Sequence, residues 1–356
     1  MALTTIQAVY DEARAALETG KDERAIGLSE HLLESFPHYL EAYRLLGESH
    51  LNRQEPDQAA AAFERVLRAD PENIPVYVGL GVTYERQGRL ADAIRQFERA
   101  FEIKPDLPEL RSQLLRLYAE AWGGEHAQVR LKKAGLARLY VRGNRYDKAI
   151  QEFQDVLAQE PDRRDVQVAL AEAYWRNSQE EDAAEMCRSI LAADPDVLKA
   201  NLILGYILLA SGDPQGKRLW QHAQQLDPSQ GVAFSLFDGM MPPVEAPKTA
   251  IETFDEAVWR QAKADKERQA QEAAARAQEE AARAERERRE AEEREHAAAL
   301  AATQGVPAVA AGSWLDEAPS PPRAPARSAP VGMDDDFLKA LLLGTDAPPA
   351  APAPAP

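Results

Sequence analysis

The sequence contains few residues of the types that carry out catalysis. It has one cysteine, Cys187, and six histidines, namely His31, His38, His50, His126, His222 and His296. No histidine stands at metal-ligand spacing from another histidine, a cysteine or a carboxylate, as a metal centre would need. The sequence also lacks a phosphate-binding glycine loop, a Gly-x-Ser-x-Gly segment and a His-Glu-x-x-His segment. We therefore expect a protein that is not an enzyme and that holds no metal and no cofactor.

Composition limits the partners and the compartment. The 356 residues include 59 acidic and 42 basic side chains, a formal net charge of -17. This balance argues against nucleic-acid binding, which needs clustered lysine and arginine. No signal peptide is visible, and the longest mostly apolar run, residues 200–210, is too short to span a bilayer. We expect a cytoplasmic protein without a transmembrane segment.

Prolines mark an internal repeat in the first two thirds of the chain. These prolines are Pro37, Pro71, Pro105, Pro161, Pro195 and Pro228. The first three are spaced by 34 residues, the fourth and fifth are also 34 residues apart, and the sixth follows 33 residues after the fifth. Twelve residues before the first five stand Ala25, Ala59, Ala93, Ala149 and Ala183. Eight before them stand Ser29, Phe63, Phe97, Phe153 and Cys187, and twenty-four before them stand Ala13, Gly47, Gly81, Ala137 and Ala171. At this position Cys187 is predicted to be a buried filler rather than a nucleophile.

This period predicts two antiparallel helices per unit. Small residues allow the helices to cross closely, aromatic residues fill the space between pairs, and proline ends the second helix. The pattern, most clearly residues 89–105, resembles the tetratricopeptide repeat family. The resemblance implies an all-α protein, a right-handed α-solenoid of helix-turn-helix repeats. The repeats are placed at 6–39, 40–73, 74–107, 130–163, 164–197 and 198–230.

Residues 108–129 interrupt the register of the repeats. Leu110, Leu114 and Leu117 give a helical face, and Gly123 and Gly124 follow it. Two interpretations remain open for this irregular spacer. It is either a repeat that has lost most of its second helix or a hinge between two blocks of three repeats.

The resemblance also implies a partner-binding groove. In the family, positions 2, 5, 9 and 12 of each unit line the concave face of the solenoid. The lysine and asparagine with which chaperone adaptors of the family hold a carboxylate are missing at positions 5 and 9. The apolar residues at the groove positions predict instead a groove that binds an amphipathic helix. These residues are Val78, Val82, Val168, Trp175, Leu202, Tyr206 and Leu209. The alternative is that several of them pack inside the stack.

Beyond the repeats the composition changes twice. Residues 231–248 contain three prolines and are predicted to be a linker. Residues 249–303 are predicted to form a helix whose first turns cap the stack through Ile251, Phe254 and Val258. The rest of this helix is alanine with charged residues that pair at i,i+4, and we expect a solvated single helix. A coiled coil is the alternative.

The last segment, residues 304–356, is rich in proline and alanine and is predicted to be disordered. One stretch within it, residues 333–344, has three aspartates followed by an apolar run. Phe337, Leu338, Leu341 and Leu342 fall on one helical face, which predicts a docking motif. It could bind the apolar groove of its own chain, that of a second copy, or an unrelated protein.

Together these features predict a non-catalytic scaffold or adaptor for protein–protein interactions. It would bind a peptide or helix of a protein partner in its groove, with self-association through the tail motif as one option. The alternative is a chaperone-like or assembly-factor subunit of a larger, membrane-associated complex.

Overall fold

The computed structural model describes residues 3–124 and 128–303. The described chain forms two units, one ending at Phe254 and one starting at Asp255. Strand β1 (Leu3–Thr5) opens the first unit, and β2 (Ala250–Glu252) closes it. Its helices are α1 (Ile6–Glu18), α2 (Asp22–Ser35), α3 (Leu40–Asn52), α4 (Pro56–Ala69), α5 (Ile74–Arg86), α6 (Leu90–Ile103), α7 (Pro108–Trp122), α8 (Lys133–Arg142), α9 (Tyr146–Gln159), α10 (Arg164–Arg176), α11 (Glu180–Ala193), α12 (Leu198–Ala210), α13 (Pro214–Leu226) and α14 (Gly231–Leu236).

Helices α1–α6 and α8–α13 form six consecutive antiparallel pairs, which confirms the predicted α-solenoid. Each of the six repeat prolines comes two residues after the end of the second helix of its pair. The turn within each pair contains one residue with positive φ, in the left-handed region. These residues are Gly20, Gln54, Gly88, Asn144, Ser178 and Gly212.

Close helix crossings explain the small residues of the first helices. The Phe63 ring lies so near Gly47 and Gly79 that a Cβ atom on either glycine would be 2.6 Å from it. The same distance separates a Cβ on Gly81 from the Phe97 ring. Both rings are fully buried, so the alternation of glycine and phenylalanine in the repeat forms the core between helix pairs.

Helix α7 corresponds to the first helix of a repeat, but no second helix of that repeat follows it among the described residues. Leu110, Leu114 and Leu117 are fully buried against the core, and Tyr118 donates a hydrogen bond to Glu98 on α6. Helix α8 also packs on α6. The apolar face predicted for the spacer therefore extends the stack, and the solenoid resumes from the same helix.

The last segment of the first unit pairs with its first segment. β1 and β2 pair antiparallel, with Thr4 opposite Ile251. Ile251 is buried in the core of the first repeat, and the His31 ring contacts the Glu252 carbonyl at 2.8 Å. This strand pair closes the solenoid, because it joins residues near position 4 to residues near position 251.

Two boundary predictions for the C-terminal part are wrong. Residues 231–248 are not only a linker, since α14 begins at Gly231 and buries Ala233 and Leu236. The long helix does not start at 249, because residues 250–252 are held as a strand by β1. Phe254 packs beside the first repeat from a non-helical segment, so the predicted capping stripe does not form on one helix.

The second unit is α15 (Glu256–Thr303) within its described part. Asp255 accepts hydrogen bonds from the backbone amides of Ala257 and Val258 and begins the helix. Exposed i,i+4 ion pairs follow, such as Arg289 with Glu285 at 2.7 Å. Val258 is 64% exposed, so the residue predicted to cap the stack faces solvent.

Candidate partner-binding site

The structure buries much of the predicted apolar groove. Val78, Val82, Val168 and Leu202 lie in the core and are at most 7% exposed. For these four residues the expectation of an open surface is wrong. All four belong to one continuous core cluster that runs from the second repeat to the segment after α14.

Trp175, Tyr206 and Leu209 remain partly exposed, but Phe237 occupies the space between the two aromatic residues. The Phe237 ring stacks on Tyr206 at 4.5 Å and meets Trp175 edge-on at 5.0 Å. Phe237 follows α14 and is 1% exposed. The chain itself therefore fills this part of the groove, and partner binding at the three residues stays a prediction. The predicted docking motif, Phe337, Leu338, Leu341 and Leu342, lies outside the described residues.

Ion pairs join residues of distant repeats on the inside of the solenoid. Lys199 on α12 donates to Glu72, 127 residues away, and to Glu172, both at 2.8 Å. Arg138 on α8 bridges Glu72 at 3.3 Å and Asp165 at 3.1 Å. These ion pairs thus join α8, α10 and α12 to the turn between α4 and α5, and a cavity of about 210 Å³ lies beside them.

A second bridge joins α6 to the start of α10. Arg163 donates to Glu102 at 2.6 Å and to both oxygens of Asp165 at 2.8 Å. Burial alone would raise the pKa of Asp165, but Arg163 and Arg138 lower it below its ordinary value. Burial likewise opposes the charged form of Glu172, yet Lys199 and Arg176 lower its pKa to about 2. Both carboxylates are therefore ionised members of the bridges.

Glu48 behaves differently from these carboxylates. Its Oε1 atom accepts a short hydrogen bond from Arg44, whereas Oε2 is buried without a hydrogen-bond partner. Arg44 also donates to Glu41 at 2.7 Å and to the Tyr10 hydroxyl at 2.7 Å. Burial outweighs the attraction of Arg44 and raises the pKa of Glu48 to about 7. Glu48 is thus a carboxyl group that folding favours in its protonated form.

We expect Glu48→Gln to remove a pH dependence of stability. The folded-state pKa of about 7 lies above the ordinary value of 4.5. The stabilisation is therefore fully present below pH 4.5 and is lost as the pH rises through 7. Between pH 5 and pH 8 the wild type should lose about 2–3 kcal/mol relative to the variant. Urea unfolding at both pH values measures this difference.

The matched control is the exposed Glu180, changed to glutamine, which should leave the pH dependence of the wild type unaltered. An equal pH response of wild type and Glu48→Gln would show that Glu48 is ionised in the folded protein.

A cavity of about 320 Å³ lies where the first two repeats meet the last one. Its wall includes the carboxyl groups of Glu41, Asp70 and Asp227 together with Tyr10 and Tyr39. No lysine or arginine is among its lining residues in the described chain. The cavity exists only because the solenoid closes, since α1 and the segment after α13 both contribute to its wall.

Two of these carboxyl groups lack a cationic partner in the cavity wall. Asp70 accepts a hydrogen bond from the Asn73 amide at 3.0 Å, and Asp227 accepts from the Ser229 hydroxyl and the Val232 amide. Burial raises the pKa of both aspartates above the ordinary value. An introduced cation would favour their charged forms.

The one cysteine of the sequence lies in the core. Cys187 is fully buried, and burial raises the pKa of its thiol to about 12, so it is a core residue as predicted. No group of three or more histidine, cysteine or acidic residues is arranged for a metal ion within the described ranges. In the same part of the chain, no helix has both the length and the apolar character needed to cross a membrane.

Comparison with known proteins identifies the repeat. A family model described as tetratricopeptide repeat matches residues 10–74, 49–108 and 135–197. Peroxisome biogenesis protein 5 of Arabidopsis thaliana is 31% identical over 144 residues, 37% of this chain and 19% of that protein. Superkiller protein 3 of Saccharomyces cerevisiae is 35% identical over 63 residues, 18% of this chain and 4% of that protein. The alignments thus span less than a fifth of either relative.

Among solved structures, a tetratricopeptide repeat protein from Parabacteroides merdae is similar to this chain. It is 14% identical with a TM-score of 0.32, and the match covers 67% of this chain and 99% of the other.

Proposed function

We propose that the chain, in which residues 10–74, 49–108 and 135–197 match the tetratricopeptide repeat model, is a non-catalytic scaffold for protein–protein interactions. The closed solenoid is the rigid part, and a protein partner inserts a basic side chain into the cavity where the first and last repeats meet. The observation that carries this proposal is the presence of two aspartates, the buried Asp227 and the partly buried Asp70, in a wall without lysine or arginine.

The cavity has the chemistry that a lysine or arginine side chain needs. Its carboxylates supply charge-assisted acceptors, and Tyr10 supplies aromatic surface to a bound cation. A cavity of about 320 Å³ is large enough for one long side chain but not for a folded helix. The ligand is therefore a peptide or loop of a partner, in place of the amphipathic helix predicted from the apolar groove.

Photo-crosslinking in the source cell tests this function. A benzophenone-bearing amino acid replaces Gln7, an exposed residue in the cavity wall. We expect a crosslinked protein partner that disappears when Asp70→Asn and Asp227→Asn are combined, since the cavity then loses the two carboxyl groups that have no cationic partner in its wall. Mass spectrometry of the adduct identifies the partner and the residue attached.

The matched control places the same amino acid at Gln151, an exposed residue of α9 outside the cavity. An adduct that forms equally at both positions, or that persists in the double aspartate variant, would contradict binding in the cavity. Circular dichroism of the purified double variant verifies that the solenoid remains folded.

The second candidate function is a chaperone-like or assembly-factor role. It is favoured by apolar side chains that α14 and the segment after it leave in solvent. Phe234 is 65% exposed and Met240 is 67% exposed. Suppression of aggregation of a denatured test protein, weakened by Phe234→Ser with Met240→Ser, would support this role over the scaffold.

A further inference from the structure

The groove between α11 and α13 is apolar at its floor and basic at its rim. A cavity of about 450 Å³ lies there, and α12 forms its floor with Leu204 and Leu208. Leu191 of α11 and Leu219 of α13 complete the apolar surface, and Leu191, Leu208 and Leu219 are partly exposed. This groove is separate from the cavity that closes the solenoid.

A tyrosine bond that recurs in other units is absent at this groove. In three other units a tyrosine hydroxyl forms a hydrogen bond with the residue twenty positions earlier, on the preceding second helix. These pairs are Tyr84 with Glu64 at 3.0 Å, Tyr118 with Glu98 at 2.5 Å and Tyr174 with Gln154 at 2.8 Å. In the last unit Leu208 stands at this position, and the residue twenty earlier is Arg188. Leucine cannot make this bond, so the bridge is missing.

The rim of the groove carries two positive charges and one carboxylate, Asp213, which accepts a hydrogen bond from the Gln215 amide at the start of α13. Arg188 and Arg218 are exposed and line the cavity. Neither forms an ion pair or a side-chain hydrogen bond within the described part of the chain, which sets them apart from the arginines inside the solenoid. An apolar floor between unpaired arginines is complementary to a helix that combines acidic and apolar residues.

The chain contains one segment with this composition. Residues 334–343 read Asp-Asp-Asp-Phe-Leu-Lys-Ala-Leu-Leu-Leu, with three carboxylates immediately before the apolar face. The 30 residues between α15 and this segment reach about 100 Å when extended. The helix α15, with 48 residues, is about 72 Å long. The segment can therefore return along the whole length of α15.

We propose that residues 334–343 dock as a short amphipathic helix in the α11–α13 groove of the same chain. Phe337, Leu338, Leu341 and Leu342 cover the leucines of the floor, and Asp334–Asp336 face Arg188 and Arg218. The contact occupies the groove until a partner with a similar acidic and apolar helix displaces the segment.

Hydrogen exchange of the full chain, followed by mass spectrometry, tests the proposal. The amides of residues 337–343 should exchange at least about tenfold more slowly than an unprotected peptide, because a docked helix hydrogen-bonds them. Leu341→Asp should abolish this protection. Arg188→Asp combined with Arg218→Asp should lower it about tenfold, the loss expected for two exposed ion pairs. Adding Asp334→Lys, Asp335→Lys and Asp336→Lys to that double variant should restore it.

Lys217→Asp is the matched control, since Lys217 is an exposed cation of α13 that does not line the groove, and it should leave the protection intact. Unprotected amides in the wild type, or protection that survives reversal of both arginines, would overturn the proposal. Protection that rises with protein concentration would overturn docking within one chain and indicate docking between two copies.

Discussion

Replacement of Arg163 by methionine should destabilise the solenoid by about 3–5 kcal/mol, the effect expected when a buried ion pair loses one partner. The substitution removes the guanidinium that bonds Glu102 at 2.6 Å and leaves this carboxylate, which is 2% exposed, with the longer contact to Arg99 at 3.3 Å. It also removes one of the two arginines that bond Asp165. The midpoint of urea unfolding, followed by circular dichroism, measures the change.

Arg142→Met is the matched control for this substitution. Arg142 pairs with Asp106 at 2.7 Å, but both side chains are about half exposed, so its loss should change stability by less than about 1 kcal/mol. Adding Glu102→Gln to Arg163→Met should recover part of the loss, because it removes a buried charge that has lost its nearest partner. Equal effects of the two arginine substitutions would mean that the inside of the solenoid is accessible to water.

The fold was predictable because the same residue types recur at the same positions in several repeats. Pro71 and Pro105 end equivalent helices, and Phe63 and Phe97 fill equivalent crossings against glycine. The strand pair was not predictable in this way. Residues 3–5 and 250–252 are short, occur once, and become strands only because closure of the solenoid brings them together.

The candidate site was only partly predictable. The apolar members of the groove were found by position, but position alone could not show that distant repeats approach closely enough to bury Val78 and Val168. The charged residues that form ion pairs inside the solenoid were not predicted, although their positions in the repeat could have indicated them. Position 2 of the repeats, also expected to face the groove, holds Glu41, Asp165 and Lys199, and all three form ion pairs inside the solenoid.

Glycine at position 216 is a requirement of the last helix pair, and Gly216→Ala should cost about 3 kcal/mol of stability. A Cβ atom there would lie 2.6 Å from the Leu209 amide nitrogen and 2.8 Å from the Gly205 carbonyl oxygen. Both atoms belong to the backbone of α12, so no side-chain rotation relieves the clash and α13 must move away. The matched control is Gly124→Ala, where a Cβ meets no atom within 4 Å and the urea midpoint should stay near that of the wild type. If Gly216→Ala also unfolds at the wild-type urea concentration, α12 and α13 do not cross at the distance that the structure shows.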